Sequence, residues 1–381
     1  MKSLRQRMMN DFESERGLAT RMAKLGGYAS AAKLKQSIEK PKGEIQNFDG
    51  FVKVVNELYP DNYLNYLSQF TDEIIPGKAT ARYLLEFLSL NRQFDGVENL
   101  ISKMKTKHNV NTEWALAYEL LINHQKNCSK IDYNEMLIQI RSMKTNNSEL
   151  NLFLNILRTY CYHQLGRFNM VTTLADEIEY DLRHLKNNYL IQMYRVRHSE
   201  TMSYLTLRLH NQPEKARVYA DKVIYSETFI GESFNAYAHF IKGYSYMFSS
   251  YDFASTHLTI SRNLYDGLNR VSVVTDLEEK IEMVNVLWNK KVDCKYVKNQ
   301  LLQNLDLDID KLIEEHTATI DNPFRLFLEG RSKKDNNILL DSLISYLRVG
   351  DFFLANLPKI ELLQNGFNEK VLNNLLKLRV A

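Results

Sequence analysis

The sequence predicts an all-α fold, with an N-terminal helix-turn-helix domain followed by a tetratricopeptide-like α-solenoid. One turn pattern recurs, in which a polar residue or glycine precedes an aromatic residue and a new amphipathic stretch. It occurs at residues 91–95, 165–168, 249–254 and 348–352. Helix pairs joined by such turns are typical of solenoids, which present a concave binding surface. The chain also has only 14 glycines and 6 prolines in 381 residues. This is well below the usual share of roughly 12%, so it disfavours turn-rich β-sandwiches and Rossmann folds.

Positive charge is concentrated at the N-terminus. Residues 1–42 contain ten Lys and Arg against four Asp and Glu, a local charge of +6. The whole chain carries +3, so the remaining residues carry −3. This asymmetry is expected for one DNA-contacting domain on a neutral body.

The first sixty residues predict short helices around a glycine turn. Residues 3–14 place apolar side chains at i, i+4 and i+8, and a second helix ends at residues 26–27. Ser30 is then expected to cap a third helix over 31–38, with Leu34 and Ile38 facing inward. The third helix matches the DNA-reading helix of a helix-turn-helix. The residues predicted to contact DNA are Ser30, Lys33, Lys35, Gln36 and Lys40. The alternative is a plain three-helix bundle with a solvated lysine face.

Beyond residue 61 the predicted helices come in pairs. The clearest pairs are 150–165 with 169–181, 190–209 with 214–226, and 232–248 with 253–268; 337–349, 352–365 and 368–380 complete the array. Residues 292–310 are predicted to form a short helix and a loop. The predicted domains are a DNA-binding domain at 1–60, a peptide-binding solenoid at 61–366 and a capping or dimerisation helix at 367–381.

Catalytic and metal-binding motifs are absent from the sequence. There is no phosphate-binding loop, dinucleotide fingerprint, HExxH or nucleophile elbow. The closest cluster, at 314–316, reads as a solvated helix face. The three cysteines, at positions 128, 161 and 294, form no CxxC pair. No run approaches the roughly 18 apolar residues of a membrane span. We therefore expect a cytoplasmic protein with reduced thiols, no enzymatic activity, no cofactor and no metal.

A groove is expected along the first helix of each pair, where residues about one turn apart line the concave face. In such a groove, tyrosine and methionine side chains supply contact area and polar side-chain groups hydrogen-bond the backbone, which favours binding of a short extended peptide. The candidate residues are Arg197, Tyr204, Arg208, Ser233, Tyr237, Tyr244 and Met247. The alternative is that half of them face a neighbouring helix.

The last helix carries an apolar stripe where a solenoid normally ends in a polar cap. The stripe predicts contact with the same helix of a second subunit across a two-fold axis. Its candidate dimer residues are Leu372, Leu375, Leu376 and Leu378. The alternative is that the helix folds back onto Ile360, Leu362 and Leu363.

Several stretches, in this order and spacing, resemble the peptide-pheromone receptors of Gram-positive bacteria and their phages, in particular the arbitrium receptors of temperate phages. They are FVKVVNELYPD at 51–61, KATAR at 78–82, MFSSYD at 247–252, WNK at 288–290, LEGR at 328–331, DFFLANLPKIEL at 351–362 and LNNLLKL at 372–378. The resemblance covers nearly the whole chain.

The resemblance implies a DNA-binding regulator, active as a homodimer in the bacterial host cytoplasm and switched off by a phage hexapeptide in the lysis–lysogeny decision. It also implies that Asp351 and Phe353, which match an Asp-x-Phe pair before Leu-Pro, hold the peptide. A carboxylate is suited to a peptide that carries arginine. The chain departs from relatives at Tyr204, Ser233 and Tyr244, where they use Asn or Arg. The rival hypothesis is a solenoid that binds a host protein instead of DNA.

Overall fold

The computed structural model describes residues 3–39, 44–106, 110–127, 130–303 and 321–377. Within these ranges all regular elements are helices and no strand occurs, which confirms the predicted all-α fold. None of the helices in these ranges is long and apolar enough to cross a membrane. The predictions at Lys40, position 128, residues 314–316 and Leu378 lie outside the described residues.

Four short helices open the chain, as the periodicity of the first sixty residues predicts. They are α1 (Leu4–Ser14), α2 (Leu18–Leu25), α3 (Ala31–Glu39) and α4 (Phe48–Leu58). Ser3 begins α1 with a capping box, in which its hydroxyl accepts from Gln6 N–H while the Gln6 side chain accepts from Ser3 N–H. The Asn47 side chain caps α4 by accepting from Gly50 N–H at 3.0 Å.

Seventeen further helices follow within the described ranges. They are α5 (Tyr63–Gln69), a 3₁₀ turn (Phe70–Asp72), α6 (Ala79–Leu90), α7 (Phe94–Met104), α8 (Thr112–Asn127), α9 (Tyr133–Ser142), α10 (Ser148–Gln164), α11 (Phe168–His184) and α12 (Tyr189–Arg208). The remainder comprises α13 (Pro213–Ile224), α14 (Glu232–Ser245), α15 (Tyr251–Gly267), α16 (Val271–Leu287), α17 (Val297–Gln303), α18 (Asn322–Lys333), α19 (Asn336–Arg348), α20 (Asn356–Gln364) and α21 (Glu369–Lys377).

The chain forms two compact units. Unit 1 consists of Met1–His198 with Ser226–Gly231, and unit 2 of Ser199–Tyr225 with Glu232–Ala381. Within each unit, helices pack mainly on their neighbours in sequence, such as α10 on α11 in unit 1 and α14 on α15 in unit 2. This nearest-neighbour packing is typical of stacked helical repeats.

The recurring turns lie between helices as predicted. Left-handed residues make three of them: Arg92 (φ 54°), Gly166 (φ 67°) and Gly350 (φ 75°). Glycine reaches this backbone region without steric cost, whereas arginine does not. Glycine therefore makes the turns at 165–168 and 348–352 without the steric cost that Arg92 bears in the turn at 91–95.

The N-terminal helices pack against the helices that follow them in unit 1. Phe48 of α4 is 1% exposed and its ring lies 6.4 Å from that of Phe87 in α6 and 4.9 Å from that of Tyr189 in α12. Glu73, after the 3₁₀ turn, accepts from Leu4 N–H at 2.6 Å. The predicted domain limits at residues 60 and 366 remain predictions, and unit 1 holds residues on both sides of the first.

One predicted helix is shorter than expected. The sequence pattern predicts a helix over 352–365, whereas α20 begins at Asn356 and residues 352–355 form a turn. The buried Asp351 begins the turn, because its Oδ1 accepts from Leu354 N–H at 3.0 Å. Asn356 N–H and Leu357 N–H then donate to carbonyls only three residues back, at Phe353 and Leu354, so the chain makes tighter turns before α20 begins.

Candidate functional site

Of the predicted DNA-reading residues, Lys33 and Gln36 lie on the exposed face of α3 and Ser30 precedes the helix, whereas Lys40 lies outside the described residues. Ser30 caps the helix, because its Oγ accepts from Lys33 N–H at 3.2 Å. Lys33 and Gln36 are exposed, Lys35 is half-buried, and Lys33 Nζ lies 3.3 Å from Gln36 Oε1. Their roles in DNA contact remain predictions. The opposite face carries Leu34 and Ile38, both fully buried as the sequence predicts.

The turn before α3 is fixed by α4. A Cβ on Gly26 would lie 2.8 Å from Gly50 O and 2.9 Å from a Val54 methyl carbon, so only glycine fits without a shift. Asn47 Nδ2 also donates to Gly26 O at 2.8 Å. Helix α4 therefore closes the turn and fixes the direction of α3.

Arg5 contributes to the N-terminal charge but is 6% exposed. Its Nη1 donates to Ile38 O at 3.0 Å and to Ser37 O at 3.2 Å, at the end of α3. The guanidinium therefore supplies donors to carbonyls in the last described turn of α3, where a cation is favourable. Sequence reasoning missed this role, since counting charges does not separate exposed from buried arginines.

In unit 2 the structure brings together Arg208, at the end of α12, and Asp351, in the turn before α20. Arg208 Nη2 and Asp351 Oδ2 form an ion pair. The backbone contact is also direct, because Phe352 N–H donates to Arg208 O at 2.8 Å. Asp351 is 2% exposed, whereas about a third of the Arg208 side chain is exposed.

Aromatic rings surround this ion pair. The Arg208 guanidinium lies 5.4 Å from the centre of the Tyr204 ring. The Phe353 ring lies 5.4 Å from that of Tyr244 and 5.2 Å from that of Phe248. Low water access strengthens the ion pair, since fewer water dipoles screen the two charges.

Burial and mutual attraction shift the pKa values of both Asp351 and Arg208. Burial raises the pKa of the Asp351 carboxyl, although the Arg208 charge and the hydrogen bond from Leu354 act in the opposite direction. Burial, the largest single effect, would lower the pKa of Arg208, but the Asp351 charge and hydrogen bond together with Tyr204 and Tyr244 outweigh it, and the pKa is raised. A carboxylate in this environment favours a cationic partner, either Arg208 itself or a cation on a ligand.

A cavity of about 200 Å³ adjoins the pair. Engineered cavities of roughly 150 Å³ accept a molecule the size of benzene, so this space suits one small residue of a ligand. Its lining residues are Arg208, Tyr244, Glu279, Lys280, Met283, Lys298, Asn299, Asp321, Phe324, Tyr346 and Leu354. Only Arg208 and Tyr244 among them belong to the predicted peptide-binding set.

A second cavity in unit 2 measures about 400 Å³. Met247 lines it, although this side chain is fully buried and lies in the turn after α14. The indole N–H of Trp288 donates to Met247 O at 2.8 Å. Ser233 and Tyr237 are half-buried on α14 and line neither cavity. Their predicted peptide contacts remain untested.

Contrary to the prediction from its helical position, Arg197 does not line a groove. It is 1% exposed, and it belongs to unit 1. Its guanidinium holds Glu86 through two hydrogen bonds, at 2.7 and 3.2 Å, and donates to Ser89 Oγ at 2.8 Å. The side chain is therefore committed to a structural ion pair with a residue 111 positions away, which helical periodicity cannot reveal.

Of the predicted dimer residues, Leu372 is fully buried in the core of unit 2, in the same apolar cluster as Leu362. Leu375 and Leu376 pack partly against that cluster. Helix α21 thus folds back in part, as the alternative expects, while the assignment of Leu375 and Leu376 to a dimer contact remains a prediction.

Comparison with known proteins agrees with the fold. The sequence model of the family described as "AimR transcriptional regulator-like" matches residues 64–364. The AimR transcriptional regulator of Bacillus phage phi3T is 22% identical over 96% of this chain and 98% of its own length. That of Bacillus phage SPbeta is 24% identical over 99% and 100%.

Two solved structures share the architecture. "Structure of SeMet-phAimR" superposes with a TM-score of 0.79 over 98% of this chain and 100% of that one, at 21% identity. "Structure of phAimR-Ligand" gives 0.68 over 86% and 100%, at 20% identity. The predicted resemblance to the arbitrium receptors is confirmed. Because the family match spans most of its length, the protein belongs to the AimR transcriptional regulator-like family.

Proposed function

We propose that the protein is a dimeric, DNA-binding transcriptional regulator whose activity a short phage peptide switches off, in the control of lysis and lysogeny. The observation that carries the DNA-binding part is α3, a helix that Ser30 caps, that Arg5 holds at Ile38 O, and that presents Lys33 and Gln36 to solvent. Lysine and glutamine reach phosphates and base edges. The protein would meet its operator in the cytoplasm of the bacterial host.

The peptide would bind in unit 2 around Asp351. An arginine on the peptide would compete with Arg208 for this buried carboxylate. Tyr204, Tyr244 and Phe353 offer aromatic area beside it. Two related proteins are named transcriptional regulators and phAimR has been solved with a ligand, which supports a ligand-controlled regulator.

The test combines charge reversal with peptide titration. Wild type and the Lys33→Glu/Lys35→Glu variant would be titrated on DNA from around the protein's own gene, at several salt concentrations, with and without synthetic hexapeptides. We expect the variant to lose at least about tenfold in DNA affinity and about four in the slope of log affinity against log salt, about one for each of the four lysines in the dimer. Peptide affinity should be unchanged, since the substitutions lie in unit 1.

A matched control makes the same charge change elsewhere. Lys186 and Lys215 are exposed, so Lys186→Glu/Lys215→Glu should leave DNA affinity nearly unchanged. Equal losses in both variants would indicate non-specific attraction only. If the wild type bound peptide but no DNA, the rival function of a host-protein-binding solenoid would replace this proposal.

A further inference from the structure

The cavity beside Arg208 contains a polar group with no protein partner. Tyr346 of α19 is 1% exposed, and its hydroxyl makes no hydrogen bond to any described residue. Buried hydroxyl groups are nearly always hydrogen-bonded, because losing water without replacement is unfavourable. A ligand group that reached this hydroxyl would therefore gain binding free energy.

Most charged residues of the cavity already have a partner within the protein. Lys298 Nζ lies 3.2 Å from Glu279 Oε1, and Arg208 is paired with Asp351. Asp321 Oδ1 accepts from Phe324 N–H at 2.9 Å, as the cap of α18. The acids of this site are thus already engaged, which disfavours a cation in the cavity itself.

Lys280 of α16 is the exception among these cations. Its ammonium has no carboxylate within ion-pair distance among the described residues, and it donates only to Asp276 O at 3.4 Å. Burial lowers the pKa of Lys280, and the charges of Lys298 and Arg208 lower it further, whereas Asp276 and Glu279 act in the opposite direction. A partly desolvated ammonium without an anion gains most from an anionic ligand.

We propose that this cavity binds a carboxylate of the peptide, with the Lys280 ammonium and the Tyr346 hydroxyl as its two donors. Two donors match the two oxygens of a carboxylate, and the cavity volume of about 200 Å³ admits a small residue. Its two sources are the free C-terminus of the peptide and an acidic side chain. The inference rests on the proposed function, because it specifies how the peptide sits in the same site.

The test uses the full chain and three synthetic hexapeptide libraries. The first contains one arginine and no Asp or Glu, as free acids. The second contains the same sequences as C-terminal amides, and the third contains amides with one added Glu. Retained peptides would be identified by mass spectrometry after affinity selection. We expect wild type to retain free acids at least about tenfold over their amides.

Two substitutions assign the effect to its donors. Lys280→Gln should bring the ratio of acids to amides close to one, and Tyr346→Phe should reduce it. Because Tyr346→Phe removes an unpartnered hydroxyl, it should not lower the thermal unfolding midpoint of the free protein. Lys291, exposed and outside the cavity, supplies the control Lys291→Gln, which should retain the wild-type ratio.

The outcomes separate the inference from the proposed function. Preference for the Glu-containing amides, lost in Lys280→Gln, would support the carboxylate site and assign it to a side chain. Equal retention of all three libraries by wild type, or an unchanged preference in Lys280→Gln, would overturn the inference while leaving peptide control of DNA binding intact. Retention of no peptide at all would overturn the inference and the peptide-binding part of the proposed function together.

Discussion

Arg197 and Arg208 illustrate how residues with the same helical position acquire different roles. They are eleven residues apart on α12, about three turns, so periodicity places them on the same face. Arg197 is nevertheless enclosed with Glu86, which also accepts from the Tyr118 hydroxyl at 2.7 Å. Each oxygen of Glu86 is thus satisfied, which is what a buried charge requires. Arg208 keeps about a third of its side chain exposed and can exchange partners.

A half-buried histidine in unit 1 makes the stability of the fold depend on pH. Burial, followed by the charges of Arg92 and Arg197, lowers the pKa of His124 to about 4. Its Nδ1 lies 3.0 Å from the Tyr133 hydroxyl and its ring stacks on Tyr160. The unfolded chain takes up a proton near pH 6.5 but the folded chain only near 4. Below pH 6.5 protonation therefore favours the unfolded chain. The contribution of neutral His124 to the unfolding free energy is fully present above pH 6.5 and is lost as pH falls towards 4.

We expect His124→Gln to unfold with a weaker pH dependence than wild type between pH 7 and 4.5. The difference in unfolding free energy should reach at most about 3 kcal/mol, since each pKa unit corresponds to about 1.4 kcal/mol. Urea denaturation at several pH values measures it. His184→Gln, at an exposed position on α11, is the control and should follow wild type. Parallel curves for all three proteins would refute the assignment.

At the scale of elements, periodicity and turn residues predict most helices of this fold. Their limits are set by local contacts that the pattern does not contain. The turn at 352–355 begins at the buried Asp351, which accepts from Leu354 N–H and pairs with Arg208, 143 positions away. The same long-range pairing builds the candidate site. The family resemblance therefore predicts Asp351 and Phe353, whereas neither the resemblance nor the sequence spacing predicts Lys280 and Tyr346.

Glycines set the close approach of paired helices in unit 2. A Cβ on Gly243 of α14 would lie 2.7 Å from Leu258 N and 3.0 Å from Ala254 O, both in the backbone of α15. At Gly330 of α18 it would lie 2.8 Å from Leu339 N of α19. Backbone atoms cannot move aside as a flexible side chain can, so a methyl group must separate the helices.

Gly243→Ala and Gly330→Ala should therefore each lower the unfolding free energy by about 1–3 kcal/mol, although alanine favours helix by about 1 kcal/mol. Chemical denaturation provides the measurement. Gly267 ends α15 with open space around it, so Gly267→Ala should be neutral or slightly stabilising. If Gly243→Ala behaved like Gly267→Ala, close packing would not be the reason for glycine at this position.

For the whole molecule, the open question in the proposed function is assembly. Recognition of two DNA half-sites requires two copies of α3, and α21 is the predicted contact. Leu372 is unavailable for it, because this side chain fills the core of unit 2. Val371 is 49% exposed, and Leu375, one turn later, is only partly buried. The accessible part of the apolar stripe is therefore one face of α21.

We expect Val371→Glu/Leu375→Glu to convert a dimer to a monomer, because two acidic side chains on that face would meet their copies across a two-fold axis. Sedimentation velocity would give the mass and circular dichroism would confirm that the helices remain. DNA affinity should fall by at least about a hundredfold, since the second half-site no longer adds to binding. Leu372→Ala supplies the contrast: it should lose about 2–5 kcal/mol of stability with the mass unchanged. A dimer that survived the acidic pair, or a monomeric wild type, would exclude α21 as the dimer contact.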